Sequence, residues 1–390
     1  MKGFGVSVYP DMDSMDRIQS YLHLASTYGC QYVFSSMFSV QGTKQEIIDY
    51  FKELCDCAHE NGIKTVLDLN PPFLKKMGVS YDDVSLMQKI GCDVMRMDIP
   101  YGREKDLVLV QNPYGISIMF NASGNIIPEL AYFKEHNVPE DRVMLGHNFY
   151  PQPYTGLKWK YFLQNNAAIR KYGYPLQCFI SSHAPDAHGV WDAVYGLPTV
   201  EKMRKLPIDL QARECLASGN MDMVWIGNAF ASEEEFRSLQ EVMAAPRPIS
   251  ESPLKKVLES YGFPLPQYSE DKKLRIIMDS DVTAQERYQV FDLYPQSDMG
   301  DSSEWIWRSR AGRMLKPDIP ARTYEKKMFA PGDVLVVNNN YAHYAGEVQI
   351  VRLPIENDGI RNHVGKLAEG EMDMLDLIQD GDVVTFLEKK

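Results

Sequence analysis

The chain has 390 residues, of which 44% are hydrophobic and 24% are charged, which is ordinary for a globular protein. Its 41 Lys and Arg residues stand against 53 Asp and Glu residues, so the formal net charge is −12. These values exclude disordered, collagen-like and coiled-coil chains, and the acidic balance argues against a nucleic-acid partner, which needs a basic face. The length predicts two domains, or one large barrel with a small module.

Short β-rich apolar runs alternate with stretches of helical periodicity through the first part of the chain. Several predicted helices end at a glycine just before the next strand, since glycine readily adopts the left-handed conformation that closes a helix. This alternation predicts a parallel sheet, and eight strands in about 230 residues predict a (β/α)8 TIM barrel. The predicted strands begin near Phe4, Tyr32, Lys64, Asp93, Gly115, Arg142, Gln177 and Met221.

A doubly wound sheet is the alternative to the barrel. Such a sheet usually carries a Gly-rich phosphate-binding turn after its first strand. Here that strand ends in Val8-Tyr-Pro-Asp11, and the chain contains neither a GxGxxG nor a Walker motif. The barrel is therefore the preferred prediction.

The composition changes after the barrel, which we assign to residues 1–245. Prolines concentrate between Pro246 and Pro266, which predicts a linker over residues 246–269. A small β-rich domain is predicted over residues 270–390, with strands at 275–278, 305–308, 334–337, 348–352 and 383–387.

The cysteines give no sign of a metal site or a disulfide framework. None forms a CxxC pair, so we expect buried, reduced thiols, no zinc and no cofactor. The chain contains no run of about 18 apolar residues that could span a membrane, and its start lacks the apolar length of a signal peptide. We therefore expect a cytoplasmic protein with no membrane partner. The cysteines are Cys30, Cys55, Cys57, Cys92, Cys178 and Cys215.

Two aspartates stand where barrels place their active sites, at the carboxyl ends of strands. Asp68 and Asp98 end adjacent strands, which lie about 4.8 Å apart. Two carboxyls so placed approach the roughly 5–5.5 Å spacing of retaining glycosidases, and they could also share a proton. The alternative is that each one caps a helix or pairs with Arg96. Because Arg96 alternates with Asp98, it points to the same side, where it would clamp a carboxylate.

The end of the sixth strand carries the segment His147-Asn-Phe-Tyr-Pro-Gln-Pro-Tyr-Thr-Gly156. Its aromatic faces and amides suit a sugar ring, although an ordinary loop is the alternative. Other chemistries lack their residues. The first strand has no HxH for a metal-dependent amidohydrolase, no Lys ends a strand for a Schiff-base aldolase, and no GxSxG motif is present.

Phosphate recognition is predicted in the second domain. The last barrel helix opens with the carboxylates of residues 233–235, which would repel an anion from the usual phosphate cradle of a barrel. Arg308 and Arg310 alternate on a predicted strand and would share a face. Since guanidinium groups suit phosphate and carboxylate, we expect this pair to hold the anionic end of a ligand over the barrel mouth. A solvated charged strand is the alternative.

On these residues the chain resembles the MupG-like proteins, the 6-phospho-N-acetylmuramidases of one glycoside hydrolase family. The most specific match is His147–Leu157 against the family pattern HNFYPRPxTGL, and the resemblance covers nearly the whole chain. Further matches are the strand ends at Asp68 and Arg96/Asp98 and the segments Gly5–Tyr9, Phe120–Ser123, Gly196–Glu201 and Tyr344–Ile350.

The resemblance implies a TIM barrel followed by a cyclophilin-like β domain. It also implies cytoplasmic cleavage of MurNAc-6-phosphate–GlcNAc, a phosphorylated amino-sugar substrate, during cell-wall (peptidoglycan) recycling. Asp68 and Asp98 would divide the acid/base and the nucleophile or stabiliser roles between them. The residues that would bind the substrate are Arg96, Asn121, His147, Asn148, Tyr150, Glu201, Arg308 and Arg310.

Three positions depart from the family pattern, and each replacement removes a charge that could contact an anionic sugar. Gln152 stands for an Arg, Asn228 for an Asp and His343 for an Arg. The departures leave open a divergent phosphoglycosidase with another substrate, a non-catalytic phosphosugar-binding protein, and a barrel isomerase or lyase. The aspartate pair favours an enzyme, because a protein that only binds sugar does not need it. The oligomeric state stays open.

Overall fold

The computed structural model describes residues 2–190, 194–262 and 264–389. Their contacts divide the chain into two compact units, Met1–Met243 and Ala244–Lys390. Within the described residues, no helix combines the length and apolarity that crossing a membrane requires.

In the described part of the first unit, eight parallel strands close into a barrel. Each strand pairs with the next one along the chain, and the eighth pairs with the first. This confirms the predicted TIM barrel and its strand positions. The strands are β1 Gly3–Ser7, β2 Tyr32–Ser36, β3 Lys64–Leu69, β4 Val94–Met97, β5 Ser117–Asn121, β6 Val143–Gly146, β7 Leu176–Ile180 and β8 Met223–Ile226.

Helices follow the strands and pack around them. The second one begins with a capping box, in which the Thr43 hydroxyl accepts from the Glu46 backbone N–H and the Glu46 carboxylate accepts from the Thr43 backbone N–H. The helices are α1 Met15–Thr27, α2 Lys44–Glu60, α3 Pro71–Met77, α4 Ser85–Ile90, α5 Arg103–Val110, α6 Ile127–Glu135, α7 Trp159–Arg170, α8 Ile208–Ala217 and α9 Glu233–Met243, with 3-10 turns at Glu140–Arg142 and Glu201–Lys205.

The barrel interior is a packed core rather than a pore, as the fold requires. Large side chains fill it, among them Phe34 of β2, Met119 of β5, Phe179 of β7 and Trp225 of β8. A second apolar cluster lies between the strands and the surrounding helices. The described parts of the chain include all six cysteines, and each of them is buried and unpaired. The rigid core leaves the loops at the carboxyl ends of the strands to carry chemistry.

The described part of the second unit is mixed and β-rich. Seven strands form one sheet in the order β10-β17-β9-β16-β13-β14-β11, in which only β9 and β17 pair in parallel, and β12 pairs with β15. The strands are β9 Lys272–Met278, β10 Gln296–Ser297, β11 Ile306–Ser309, β12 Met328–Phe329, β13 Asp333–Val337, β14 Val348–Val351, β15 Ile355–Glu356, β16 Arg361–Leu367 and β17 Val383–Glu388.

Short helical segments complete the second unit, and two of them lie inside the Pro-rich region. They are α10 Lys255–Ser260, α11 Ala284–Arg287 and α12 Glu371–Leu375, the 3-10 turns Ile249–Glu251, Ala311–Leu315 and Asn339–Tyr344, and a π-helical turn at Tyr288–Asp292.

Candidate active site

Two acidic side chains meet one guanidinium at the carboxyl ends of β3 and β4. Asp68 and Arg96 are partners in the register of these strands, so their side chains leave the sheet on the same side. Arg96 Nη1 donates to Asp68 Oδ1 at 2.6 Å and to Asp98 Oδ1 at 2.9 Å. The pairing with Arg96, which the sequence left as an alternative, therefore occurs, and it brings both carboxyls into one group.

The two carboxyls lie close together but differ in their access to solvent. Since both Oδ1 atoms bond to the same nitrogen, at 2.6 and 2.9 Å, they lie within about 5.5 Å of one another. The Asp68 side chain is only 8% exposed, whereas the Asp98 side chain is 37% exposed. One acid is therefore enclosed by protein and the other faces the space above the barrel.

Burial decides the protonation of Asp68. It raises the pKa of this carboxyl to about 6, against the opposing effect of Arg96 and with a smaller contribution from the charge of Asp98. The pKa of Arg96 is also raised, because the two carboxylates outweigh the burial that would lower it. Asp68 therefore exchanges its proton near neutral pH beside a permanently charged guanidinium.

A buried tyrosine lies near Asp68. Tyr9, just after β1, donates its hydroxyl to the backbone carbonyl of Gly227. Burial raises the pKa of Tyr9, and the nearby charge of Asp68 adds to this effect. The phenol is therefore a neutral wall of the site.

A hydrogen-bonded chain leads from α7 to the guanidinium. His147 Nε2 lies 2.8 Å from Asn166 Oδ1, and its Nδ1 lies 3.2 Å from Ser123 Oγ. Burial lowers the pKa of His147 to about 4, so the ring is neutral and its Nε2–H donates to Asn166 while Nδ1 accepts from Ser123. Ser123 Oγ accepts from the backbone N–H of Asn148 at 2.9 Å, and Asn148 Oδ1 accepts from Arg96 Nη2. Through Ser123, the histidine thus helps to hold Asn148, whose side-chain oxygen bonds to Arg96.

The other predicted ring contacts lie at the same end of the barrel. Asn121 ends β5, and its Oδ1 accepts from the Ser123 backbone N–H at 2.8 Å. Tyr150 follows β6, is half-buried, and donates its backbone N–H to the Pro198 carbonyl at 3.1 Å. Both residues therefore stand on the rim that carries the aspartates.

Glu201 and Arg204 tie two loops of this rim together. Arg204 donates from Nε and Nη2 to the two carboxylate oxygens of Glu201, each at 2.7 Å. The same oxygens accept from the backbone N–H groups of Tyr154 and Gly156, and Arg204 Nη1 donates to the Tyr195 carbonyl. The hydrogen bonds from Arg204 hold the pKa of Glu201 down at about 2. Both oxygens are therefore engaged in shaping the loops after β6 and β7.

Two of the departures from the family pattern have clear surroundings in the first unit. Asn228, after β8, accepts from the Ser182 backbone N–H at 2.8 Å and donates to the Ser182 carbonyl at 2.9 Å. An aspartate could not make the second bond, so the amide suits this position. Gln152 is exposed, and its backbone carbonyl accepts from Arg204 Nη2 at 3.3 Å.

In the second unit, Arg308 lies in β11, whereas Arg310 follows the end of that strand and immediately precedes a 3-10 turn, so the two do not alternate on one strand as expected. Both nevertheless donate to one carboxylate. Arg308 Nη2 and Arg310 Nη1 each lie 2.7 Å from Asp301 Oδ2. Arg308 Nη1 also lies 3.6 Å from the buried Glu347. Protein carboxylates therefore already offset much of the charge of this pair.

Several residues of the site escaped the sequence reasoning. Ser123 and Asn166 complete the chain through His147, and Arg204 completes the anchor of Glu201. Ser123 lies in the quoted motif Phe120–Ser123, but nothing in the sequence pairs it with His147. Across residues 2–190, 194–262 and 264–389, no group of three or more His, Cys, Asp or Glu side chains could hold a metal ion.

Comparison with known proteins gives family matches for both units. The model described as 6-phospho-N-acetylmuramidase, N-terminal, matches residues 4–241, and the corresponding C-terminal model matches residues 272–387. The crystal structure of an uncharacterized B. cereus protein is 29% identical, covers 100% of both chains and superposes with a TM-score of 0.83.

A second solved structure shares the fold at lower identity. It is a conserved protein of unknown function from Enterococcus faecalis, 20% identical over 99% of this chain and 96% of that one, with a TM-score of 0.68. No curated protein is significantly similar to the chain.

Proposed function

The chain belongs to the 6-phospho-N-acetylmuramidase family, and on that premise we propose that it hydrolyses MurNAc-6-phosphate–GlcNAc between the two sugars. The proposal includes a cytoplasmic role in recycling the cell wall. The observation that carries it is the group of Asp68, Arg96 and Asp98 at the carboxyl end of the barrel. Two carboxyls of unequal burial are the arrangement that glycoside hydrolysis requires.

The distance between the carboxyls favours the retaining mechanism. Their Oδ1 atoms lie no more than about 5.5 Å apart, which is below the roughly 6.5–9.5 Å of inverting enzymes, whose carboxyls leave room for a water, and is compatible with the roughly 5–5.5 Å of retaining enzymes. Asp98 attacks the anomeric carbon while Asp68 protonates the glycosidic oxygen, and GlcNAc departs. Water, deprotonated by Asp68, then attacks the anomeric carbon and displaces Asp98, which regenerates both carboxyls.

The assignment of roles follows from burial. Asp68 is enclosed and has a pKa near 6, so it holds a proton that it can donate. Asp98 is the more exposed of the two and faces the space where a sugar would bind. The Arg96 guanidinium bonds to both carboxyls, so the carboxylate of Asp98, the proposed nucleophile, has a partner of opposite charge.

The remaining predicted residues divide into contacts and positioning residues. We propose that Asn121, Asn148 and Tyr150 contact the sugar ring from the rim. His147 and Glu201 have their polar atoms bonded to protein groups, so we assign them to positioning rather than to contact with the sugar. His147 holds Asn148 in place beside Arg96, and Glu201 holds the loop after β6.

The test is hydrolysis of the phosphorylated disaccharide, followed by NMR of the newly released anomer. We expect MurNAc-6-phosphate with retained configuration and one solvent oxygen at its anomeric carbon. Asp98→Asn should lower kcat by about 10²–10⁴-fold, whereas Asp93→Asn, at the opposite end of β4, should leave kcat unchanged. Binding without turnover would instead indicate a phosphosugar-binding protein. Release without solvent oxygen would indicate a lyase, and an inverted product would refute the retaining mechanism.

A further inference from the structure

The second unit contains a cavity of about 620 Å³ with a cationic lining. It lies against the 3-10 turns Ala311–Leu315 and Asn339–Tyr344, and all of its lining residues belong to this unit. Its volume falls within the range of about 300–1,000 Å³ that small-molecule sites occupy. Arg313, Lys316 and His343 are its cationic or ionisable side chains.

Buried groups behind the cavity orient Arg313. Its Nη1 donates at 3.0 Å to Oε1 of Glu347, which is fully buried, and its guanidinium lies 5.0 Å from the ring centre of Tyr344. Arg308 approaches the other oxygen of Glu347 and also binds Asp301, which Arg310 shares. Three guanidiniums therefore face two carboxylates, so this network carries a surplus positive charge.

Lys316 adds a second positive charge on a constrained backbone. It adopts a left-handed conformation, with φ of 48°, which is uncommon for a residue with a side chain. Its N–H donates to the Arg313 carbonyl at 3.1 Å, which closes the turn and places the lysine beside the arginine. Among the described residues, no carboxylate pairs with the Lys316 ammonium or with the His343 ring. Asp318, nearby in sequence, accepts from Asn339 and does not line the cavity.

The remaining lining suits a sugar better than a bare ion. Pro317, Ala342 and Ala345 give the cavity apolar surface, and Tyr261, which is 63% exposed, lies on its lining. Carbon faces of sugars stack on such surfaces, while a phosphate monoester matches guanidinium and ammonium donors. The cavity thus offers cationic groups for the phosphate of a phosphosugar and apolar surface for its sugar ring.

We propose that this cavity binds a sugar carrying a phosphate monoester, with Arg313, Lys316 and His343 on the phosphate. The ligand is either the phosphorylated disaccharide or a free monosaccharide phosphate, which share this chemistry. The proposal rests on the proposed function only for the identity of the sugar, because binding is measured without turnover. Arg308 and Arg310, for which the sequence predicted an anion contact, share Asp301 and do not line this cavity.

The test is titration calorimetry of the full chain with GlcNAc 6-phosphate, inorganic phosphate and unphosphorylated GlcNAc. Lys316→Ala and His343→Ala remove exposed side chains, so the fold is preserved. Each should weaken binding of GlcNAc 6-phosphate about tenfold or more, the effect of one charged hydrogen bond. The control Lys366→Ala removes the same charge from an exposed position on β16 and should bind like wild type.

The other outcomes of these measurements support or overturn the binding site. If GlcNAc 6-phosphate does not bind, or if both cavity variants bind it like wild type, the proposal is wrong. Equal weakening by Lys366→Ala would reduce the effect to net charge and would also overturn it. A raised KM for the phosphorylated disaccharide in the cavity variants identifies the substrate as the ligand, and unchanged kinetics identify a free phosphosugar. A chain that binds GlcNAc 6-phosphate here but hydrolyses nothing would refute only the proposed function.

Discussion

The Asp68→Asn variant separates catalysis from stability, because asparagine resembles the protonated carboxyl in size and charge but has no acidic proton to transfer. The pKa of Asp68 rises from 3.8 to about 6, mainly through burial. At about 1.36 kcal/mol per unit, the ionised form costs the native state about 3 kcal/mol. The protonated form of Asp68 avoids this cost. Its stabilisation of the native state is complete below about pH 4 and is lost as the pH rises through 6, because over that range the native state holds a proton that the unfolded chain has released.

The expected result is a variant that is more stable and less active. At pH 8, urea unfolding should show Asp68→Asn up to about 3 kcal/mol more stable than wild type, with the difference vanishing near pH 4. Its kcat on the phosphorylated disaccharide should fall by about 10²–10⁴-fold. In wild type, kcat/KM should decline above about pH 6, where Asp68 loses the proton that it donates.

Two outcomes would refute this reasoning. A stability difference that is the same at pH 4 and pH 8 would mean that the pKa of Asp68 is not raised. A kcat within tenfold of wild type would mean that Asp68 is not the acid. Asp93→Asn, at the other end of β4, controls for the loss of an aspartate from the same pair of strands and should keep the wild-type pH dependence of kcat/KM.

Three further substitutions test the two positioning residues and the amide of Asn228. Burial lowers the pKa of His147 to about 4, so the unfolded chain takes up a proton before the native state does, and the free energy of unfolding falls by about 3 kcal/mol between pH 6.5 and pH 4. His147→Gln should remove that loss in urea unfolding. An unchanged loss would contradict the assignment of a buried, neutral histidine. Glu201→Gln should loosen the segment at residues 152–156, which limited proteolysis would detect as faster cleavage there than in wild type. Asn228→Asp removes the donor to the Ser182 carbonyl and should cost about 1–3 kcal/mol in thermal unfolding; an unchanged Tm would show that this bond contributes nothing.

The barrel was predictable because its signals are local. Each strand is a short apolar run with a glycine or capping box nearby, and the carboxyl end of each run carries its polar residues. Asp68 and Asp98 could therefore be placed on one rim from the strand order alone. That they share a single nitrogen of Arg96 depends on side-chain geometry that spacing does not reveal.

The second unit was harder to predict, and β16 shows why. Arg361–Leu367 carries polar residues and a glycine, so it lacks the apolar run that marks a strand. Its pairing with β13 shifts register between Val334 and Leu335, which breaks the simple alternation of faces. The asparagine at position 362 is buried and bonds to Glu286, a contact across 76 residues that no local pattern could indicate.

The sequence identified the polar residues of the rim, but their roles depend on hydrogen bonds to residues far away in the sequence. His147 and Glu201 stand in motifs that suggest sugar contacts, yet their polar atoms bind Asn166, Ser123 and Arg204. A polar residue can lie at a strand end either to contact a ligand or to hold a neighbour that does, and sequence alone does not separate the two. Exposure and the count of protein partners do.

The charge balance of the rim links these positioning residues to the proposed chemistry. With Asp68 protonated, Arg96 and Asp98 form a neutral pair, so the buried group needs no further counter-ion. With Asp68 ionised, one guanidinium faces two carboxylates, and burial makes that state costly. A neutral His147 adds no charge, so its bonds through Ser123 to Asn148 can orient Arg96 without disturbing this balance. A positively charged residue at position 147 would favour the ionised acid and weaken the proton donor that hydrolysis requires.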